Sequence, residues 1–272
     1  MAGRGKFTPR QKKSLGQVFL RTDWPVQRVV ERMRSWKVRR VIEIGPGGGI
    51  LTRALLAADL KVTAIEKDDR FADTLIEYDR LREDDQPGIL EVVNQDVLKY
   101  DLAAWLGSSG EPAAVIGNIP YNISSPILLW ALPYLNSLKG IDFLTQLEFA
   151  QRLASSVGSK SYGSLSVYTQ LRAKVELECK VDRTCFSPVP NVDSALVSLM
   201  PRQDVIDPKL AKNVEQVTRA AFNQRRKKLR NSMKVFLTDS IDVDQCPVDL
   251  TRRPDSLRPD EFVAMAQFFL PE

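Results

Sequence analysis

The chain has no histidine in its 272 residues. That absence excludes a Ser-His-Asp hydrolase, a histidine general base and a histidine-based zinc site. Cysteine is scarce as well: Cys179, Cys185 and Cys246 are widely spaced and form no CxxC pair. Such spacing offers neither a disulfide framework nor a zinc-binding set, so no metal is expected, and it fits a reducing compartment. No apolar run approaches the ~18 residues of a membrane helix, and the N-terminus lacks a signal-peptide core. A soluble, cytoplasmic protein without a membrane partner is the expectation.

What is present is ordinary for a folded chain, with 43% hydrophobic and 27% charged residues. The length suits one large domain with a smaller appendage. Lys plus Arg number 39 against 34 for Asp plus Glu, a formal net charge of +5. The excess is mild, but its placement is uneven. Arg4, Lys6, Arg10, Lys12 and Lys13 crowd the N-terminus, and Arg225, Arg226, Lys227, Lys228 and Arg230 crowd "NQRRKKLRNSMK". Both clusters suit a polyanion; a solvated tail and a solvated helix face are the plain alternatives.

From Val38 onward, strand-like and helix-like stretches alternate. "RRVIEIG", "KVTAIEKD", "GILEVVNQD", "AAVIGNIP" and "GIDFLTQLE" read as buried strands, with "GILTRALLAAD" and "DDRFADTLIEYDRL" as helices between them. This alternation predicts an α/β fold with a doubly wound sheet. "AKVELECKVD" and "SALVSLMP" add two strands, joined by "RTCFSPVPNVD", which is too short for a parallel crossover with its own helix. The last pair is therefore predicted to be antiparallel, in a sheet of seven strands. After Pro201 the sequence reads as helices, one over "VIDPKLAKNVEQVTRAAFNQRRKKLRNSMKVFL" and one over "RPDEFVAMAQFFL". The predicted division is a domain over 1–200, with a basic arm over 1–37, and a helical domain over 201–272.

"EIGPGGG", Glu43 to Gly49, joins the first strand to the first helix. Glycines there let the chain turn sharply and let a ligand lie against the backbone. A nicotinamide-dinucleotide fingerprint fails, because the third glycine position falls on Ile50 and Pro46 removes an N–H from the loop. Gly45 and Gly47 remain as cofactor-facing candidates. Glu66 ends the second strand, where a carboxylate accepts from ribose hydroxyls, and Asp96 follows the third, where it meets an adenine amino group. A glycine corner, a ribose acid and an adenine acid without a phosphate nest point to S-adenosyl-L-methionine, whose positive charges Glu43 would favour. Glycines for tight packing and acids at strand ends are the bland reading of each feature alone.

Asn118, Ile119, Pro120 and Tyr121 end the fourth strand, beside the reactive methyl of such a ligand. An exocyclic adenine nitrogen is poorly nucleophilic, since its lone pair is delocalised into the ring. Two acceptors for its N–H hydrogens, the Asn118 side-chain oxygen and the Ile119 carbonyl, would aim it. Pro120 stiffens the turn and Tyr121 offers a stacking face. A sulfonium leaves readily, so positioning suffices and no strong base is needed. Standing alone, the same turn could simply cap the next helix.

With "KKSLGQVFL", "EIGPGGGILT", "GNIPYNISSPIL", "FLTQLEFAQRL", "YGSLSVYTQ", "CFSPVPNVDSALV" and "AFNQRRKKLRNSM" in this order, nearly the whole chain resembles the ribosomal RNA adenine dimethyltransferases. This is the KsgA/RsmA group, kin to the Erm resistance methylases. The resemblance implies a Rossmann-like class I S-adenosylmethionine-dependent methyltransferase domain with a small all-helical domain. It implies dimethylation of N6 on two adjacent adenosines in the 3′-terminal hairpin loop of 16S rRNA, late in small-subunit assembly, by a monomer. It places Val18, Leu20, Gly45, Gly47, Glu66, Asp96 and Asn118 at the cofactor. It also places Phe186 opposite Tyr121 around the target adenine, a core phenylalanine being the alternative. Arg225, Arg226, Lys227, Lys228 and Arg230 would grip phosphates from one helix.

Two positions depart from the family. Val18 stands where Asn or His is usual, leaving only backbone contact, and Asn191 stands where Lys is frequent. Three other readings stand beside this one. A DNA adenine N6-methyltransferase shares the chemistry, but Ile119 departs from its Asn/Asp-Pro-Pro-Tyr corner. A small-subunit assembly factor with little or no catalysis would not need Asn118 and the cofactor acids. A nicotinamide oxidoreductase is disfavoured by Pro46 and Ile50.

Overall fold

The computed structural model describes residues 18–83, 85–204, 206–237 and 242–271. The N-terminal basic cluster from Arg4 to Lys13 lies outside the described residues. Among the described residues there are nine strands: β1 (Phe19–Leu20), β2 (Arg40–Ile44), β3 (Lys61–Glu66), β4 (Ile89–Asn94), β5 (Ala113–Asn118), β6 (Gly140–Gln146), β7 (Ala173–Val181), β8 (Phe186–Ser187) and β9 (Ser194–Pro201). The helices are α1 (Asp23–Ser35), α2 (Ile50–Ala57), α3 (Asp69–Arg80), α4 (Leu102–Gly107), α5 (Ser124–Ala131), α6 (Leu147–Leu153), α7 (Ser164–Gln170), α8 (Pro208–Asn223), α9 (Leu229–Ser232) and α10 (Pro259–Phe269).

Seven strands form one sheet in the order β4-β3-β2-β5-β6-β9-β7, and β1 pairs with β8 in a separate ribbon. The five strands β4 to β6 in that order run parallel, and β9 returns antiparallel to β6. The central strands are apolar almost throughout because both faces are covered; β2, "RVIEI", is buried at every position. From β2 the chain winds outward to β3 and β4, then returns to β5 on the opposite side. That reversal opens a crevice at the carboxyl ends of the strands, where open α/β sheets bind ligands. Gly117 in β5 permits the close pairing there, since a Cβ would lie 2.5 Å from the Ile44 carbonyl oxygen.

Two compact units emerge from the contacts. One holds the described residues up to Leu147 with Glu176–Pro201, and the other holds Glu148–Val175 with the residues from Arg202. The first contains the sheet and a core that includes Met33, Val41, Leu55, Ala64 and Ile116. The second packs Tyr162 and Val167 against Val214, Val217, Phe262 and Met265. The Tyr162 hydroxyl donates to the Leu257 carbonyl at 2.9 Å. Glu148–Val175, placed by sequence in the 1–200 domain, thus clusters with the helices that follow Pro201, because its apolar residues fill their core.

The single helix predicted over 205–237 is not continuous. α8 ends at Asn223, a turn carries Arg225 to Lys227, and α9 is one short turn of helix. The break has a physical cause: like charges four apart, such as Arg226 and Arg230, disfavour a continuous helix, and the backbone beyond the turn pairs elsewhere. The Leu229 and Arg230 amides donate to the Arg252 and Leu250 carbonyls, both at 2.9 Å.

Candidate active site

A cleft of about 960 Å3 lies at the carboxyl ends of β2 to β5. Its lining includes Val18, Leu20, Gly45, Gly47, Glu66, Asp96 and Asn118, together with Ile119, Pro120 and Tyr121. Residues 80 positions and more apart in sequence meet because the strand ends converge at the reversal between β2 and β5.

The glycine corner is built for close approach. Gly45, Gly47 and Gly49 have φ of 61°, 50° and 73°, in the left-handed region that favours glycine. A Cβ on Gly45 would meet nothing within 4 Å, so this position faces open space, whereas one on Gly47 would lie 2.4 Å from the Phe19 ring. Phe19 in turn packs on Phe71 with centroids 5.0 Å apart. Gly45 offers room to a ligand, and Gly47 is needed for packing.

Glu66 is held before any ligand arrives. Its carboxylate accepts from the Gly47 amide at 3.1 Å and the Asp68 amide at 2.8 Å. Burial raises its pKa, opposed by these amides. With the Gly47 N–H committed and Pro46 lacking one, the corner has no nest for a pyrophosphate. Asp96 accepts from Lys67 Nζ at 2.7 Å, and that bond holds its pKa below the usual range. Lys67 lines the cleft and escaped the sequence reading. Glu43, in the middle of β2, is 1% exposed and its Oε2 has no hydrogen-bond partner among the described residues. Burial pushes this carboxyl up to about 7. A buried anion without a partner costs free energy unless a cation arrives or a proton stays.

These features fit S-adenosylmethionine. Gly45 leaves space against the backbone, Glu66 holds a carboxylate oriented by two amides at the cleft, and the buried Glu43 carboxyl borders the same cleft. Among the described residues, no group of three His, Cys, Asp or Glu side chains is placed to hold a metal ion.

Asn118 sits at the end of β5 with its Nδ2 donating to the Val18 carbonyl at 2.8 Å. Only an amide NH2 can face a carbonyl oxygen, so this bond fixes the side chain's orientation. Oδ1 remains available as an acceptor. The Ile119 amide donates to the Leu144 carbonyl at 3.0 Å, anchoring the corner to β6. Tyr121, half-buried, shares a hydrogen bond of 2.6 Å with Ser194 Oγ.

Residues 8–269 match the family described as ribosomal RNA adenine dimethylase. The chain belongs to that family. It is 37% identical over 267 residues to the ribosomal RNA small subunit methyltransferase A of Francisella tularensis subsp. novicida, covering 97% of this chain and 99% of the relative. Among solved structures, 23S rRNA methyltransferase ErmE superposes with a TM-score of 0.64 at 29% identity, covering 92% of this chain and 99% of that one. A dimethyladenosine transferase from Plasmodium falciparum shares the fold, with a TM-score of 0.71 at 23% identity over 91% and 95% of the two chains.

Val18 brings no polar side chain to the cleft, and its backbone carbonyl accepts from Asn118 Nδ2. Phe186 requires a correction. It is fully buried in the core, and it does not line the cleft. The β1–β8 ribbon sets this, because Phe186 pairs with Leu20 and Phe19 with Ser187, so Ser187 is the residue of β8 that reaches the cleft. Its burial supports the core alternative for Phe186. Asn191 lies exposed in the loop between β8 and β9.

The basic cluster also changes form. Arg226, Lys227, Lys228 and Arg230 are exposed, three of them on the turn between α8 and α9 rather than along one helix. Arg225 is committed, donating to the Ser159 carbonyl at 3.0 Å and lying 3.7 Å from Asp255. Four exposed cations, three on the turn and Arg230 in α9, thus remain close in sequence, while Arg225 serves the fold.

Proposed function

We propose that this chain transfers two methyl groups from S-adenosylmethionine to N6 of each of two adjacent adenosines in the 3′-terminal hairpin loop of 16S rRNA. The reaction takes place on the small subunit late in its assembly, with the enzyme acting as a cytoplasmic monomer. Adenine dimethylation of ribosomal RNA is the family's activity, and the relatives' names point to the small subunit. The observation that carries the reading is Asn118, whose amide is turned by the Val18 carbonyl so that an acceptor is left at the cofactor cleft.

When bound, S-adenosylmethionine supplies an electrophilic methyl carbon on a sulfonium. Glu66 would hold the ribose hydroxyls, Asp96 would meet the adenine amino group, and Gly45 would let the ligand lie against the chain. A cation bound near Glu43 would favour the ionised form of this buried carboxyl. Asn118 Oδ1 and the Ile119 carbonyl accept the N6 hydrogens of the target adenine, which aims its lone pair at the methyl. Tyr121 stacks on the base, which must leave its own stack to reach the cleft. Arg226, Lys227, Lys228 and Arg230 grip phosphates and supply affinity but not selection.

The test is methyl transfer from labelled S-adenosylmethionine to small subunits lacking the modification, with naked DNA in parallel. Label on the small-subunit RNA alone supports the reading. Label on DNA points to the DNA methyltransferase alternative, and binding without label points to an assembly factor.

A further inference from the structure

The corner that presents the target-binding groups is braced by buried hydroxyls that do not themselves reach the cleft. Ser124 and Thr145 share a hydrogen bond of 3.1 Å, and Ser124 Oγ also donates to the Pro120 carbonyl at 3.2 Å. Ser194, the first residue of β9, is fully buried and lies outside the cleft lining. β9 pairs with β6 through Ser194 opposite Gln146, so the Ser194 Cα is fixed by the sheet. Its hydroxyl meets the Tyr121 hydroxyl at 2.6 Å.

Tyr121 would otherwise be loosely held. It begins a 3-10 turn after Pro120, is half-buried, and lines the cleft. A side chain with two free torsions at such a turn samples several rotamers, and only some of them present the ring face to a base. A bond from the far end of the ring to the sheet removes that freedom. Backbone at one end and Ser194 at the other make the ring a fixed plate.

We propose that Ser194 is a positioning residue for methyl transfer, its hydroxyl holding the Tyr121 ring at the angle that receives the target adenine. The inference rests on the adenine-methylating reading above. It assigns to the serine of "NVDSALV" a role in the reaction in addition to its place in β9. Burial raises the Tyr121 pKa and the Ser194 bond opposes that shift, so the phenol stays protonated and the bond persists across the working pH range.

A double-mutant cycle tests it. Turnover on unmodified small subunits, KM for those subunits and the Kd for S-adenosylmethionine are measured for wild type, Ser194→Ala, Tyr121→Phe and the double variant. Each single change deletes one end of one hydrogen bond and should lower kcat by about fivefold to tenfold. The Kd for S-adenosylmethionine should stay within about twofold, and the double variant should be no slower than Tyr121→Phe alone. Costs that multiply in the double variant, or full turnover by Ser194→Ala, overturn the proposal. Should Ser194→Ala fail to fold, Tyr121→Phe decides, since it removes the same bond from the cleft side. Wild-type turnover by that variant overturns the inference, and a slower kcat with unchanged Kd supports it. A wild-type protein that makes no methylated adenosine refutes the proposed function instead, so the two failures are distinguishable.

Discussion

Replacing Glu43 with glutamine should tilt the pH dependence of stability. Glu43 is buried within β2, and burial, reinforced by the nearby Glu66 charge, raises its carboxyl from 4.5 to about 7 against the opposing effects of Thr52 and Arg53. A carboxyl whose folded value exceeds its unfolded value binds its proton more tightly in the native state. Its contribution to stability is therefore fully present below the unfolded pKa and is lost as pH rises through the folded one. Between 4.5 and about 7, at about 1.4 kcal/mol per pH unit, the loss is roughly 3 kcal/mol. Glutamine keeps the shape but cannot ionise, so the Glu43→Gln protein should gain about 3 kcal/mol on wild type between acid and pH 8. An unpaired buried amide adds a penalty of about 1–3 kcal/mol that does not vary with pH, so the slope of the difference is the readout. Asp142, pushed up to about 8 by burial, is present in both proteins and cancels. Urea unfolding followed by tryptophan fluorescence from pH 5 to pH 8 measures it. Parallel stability curves for the two proteins would refute the reasoning.

Two further perturbations probe the site and the patch. Gly47→Ala forces a Cβ to 2.4 Å from the Phe19 ring at a φ of 50°; it should cost about 1–3 kcal/mol of stability and weaken S-adenosylmethionine binding, read by thermal unfolding and calorimetry. Changing Arg226, Lys227, Lys228 and Arg230 together to alanine should lower the slope of log affinity against log salt by about 3, at roughly 0.7 per phosphate contact, in subunit-binding titrations. Methylation of a bound subunit should survive that change, because the patch contributes affinity rather than chemistry.

The five parallel strands of the main sheet were legible as largely apolar runs punctuated by glycine and acids, and β7 and β9 as strand-like stretches flanking a segment too short for a crossover helix. The residues at their carboxyl ends were legible for the same reason: once β2, β3, β4 and β5 are placed, Gly45, Glu66, Asp96 and Asn118 must converge. What escaped depends on pairing between distant segments. Phe186 reads as a ligand-facing aromatic until the two-residue ribbon with β1 turns its side chain into the core. Arg225 reads as one cation among five until Ser159 and Asp255 are seen to hold it. The contribution of Val18 is invisible in sequence because it comes from a backbone carbonyl, which every residue possesses. Glu148–Val175 carries apolar residues that suit either unit, and only the packing of Tyr162 and Val167 with the C-terminal helices assigns it.

The most direct test of the account is nucleoside mass spectrometry of small-subunit RNA after reaction with wild type or Asn118→Ala, with S-adenosylmethionine binding measured alongside. The account predicts N6,N6-dimethyladenosine from wild type. It predicts a loss of at least about a hundredfold from the variant, which should still bind subunits and cofactor. Dimethyladenosine from Asn118→Ala at the wild-type rate would contradict the claim that this amide, turned by Val18, aims the reacting nitrogen.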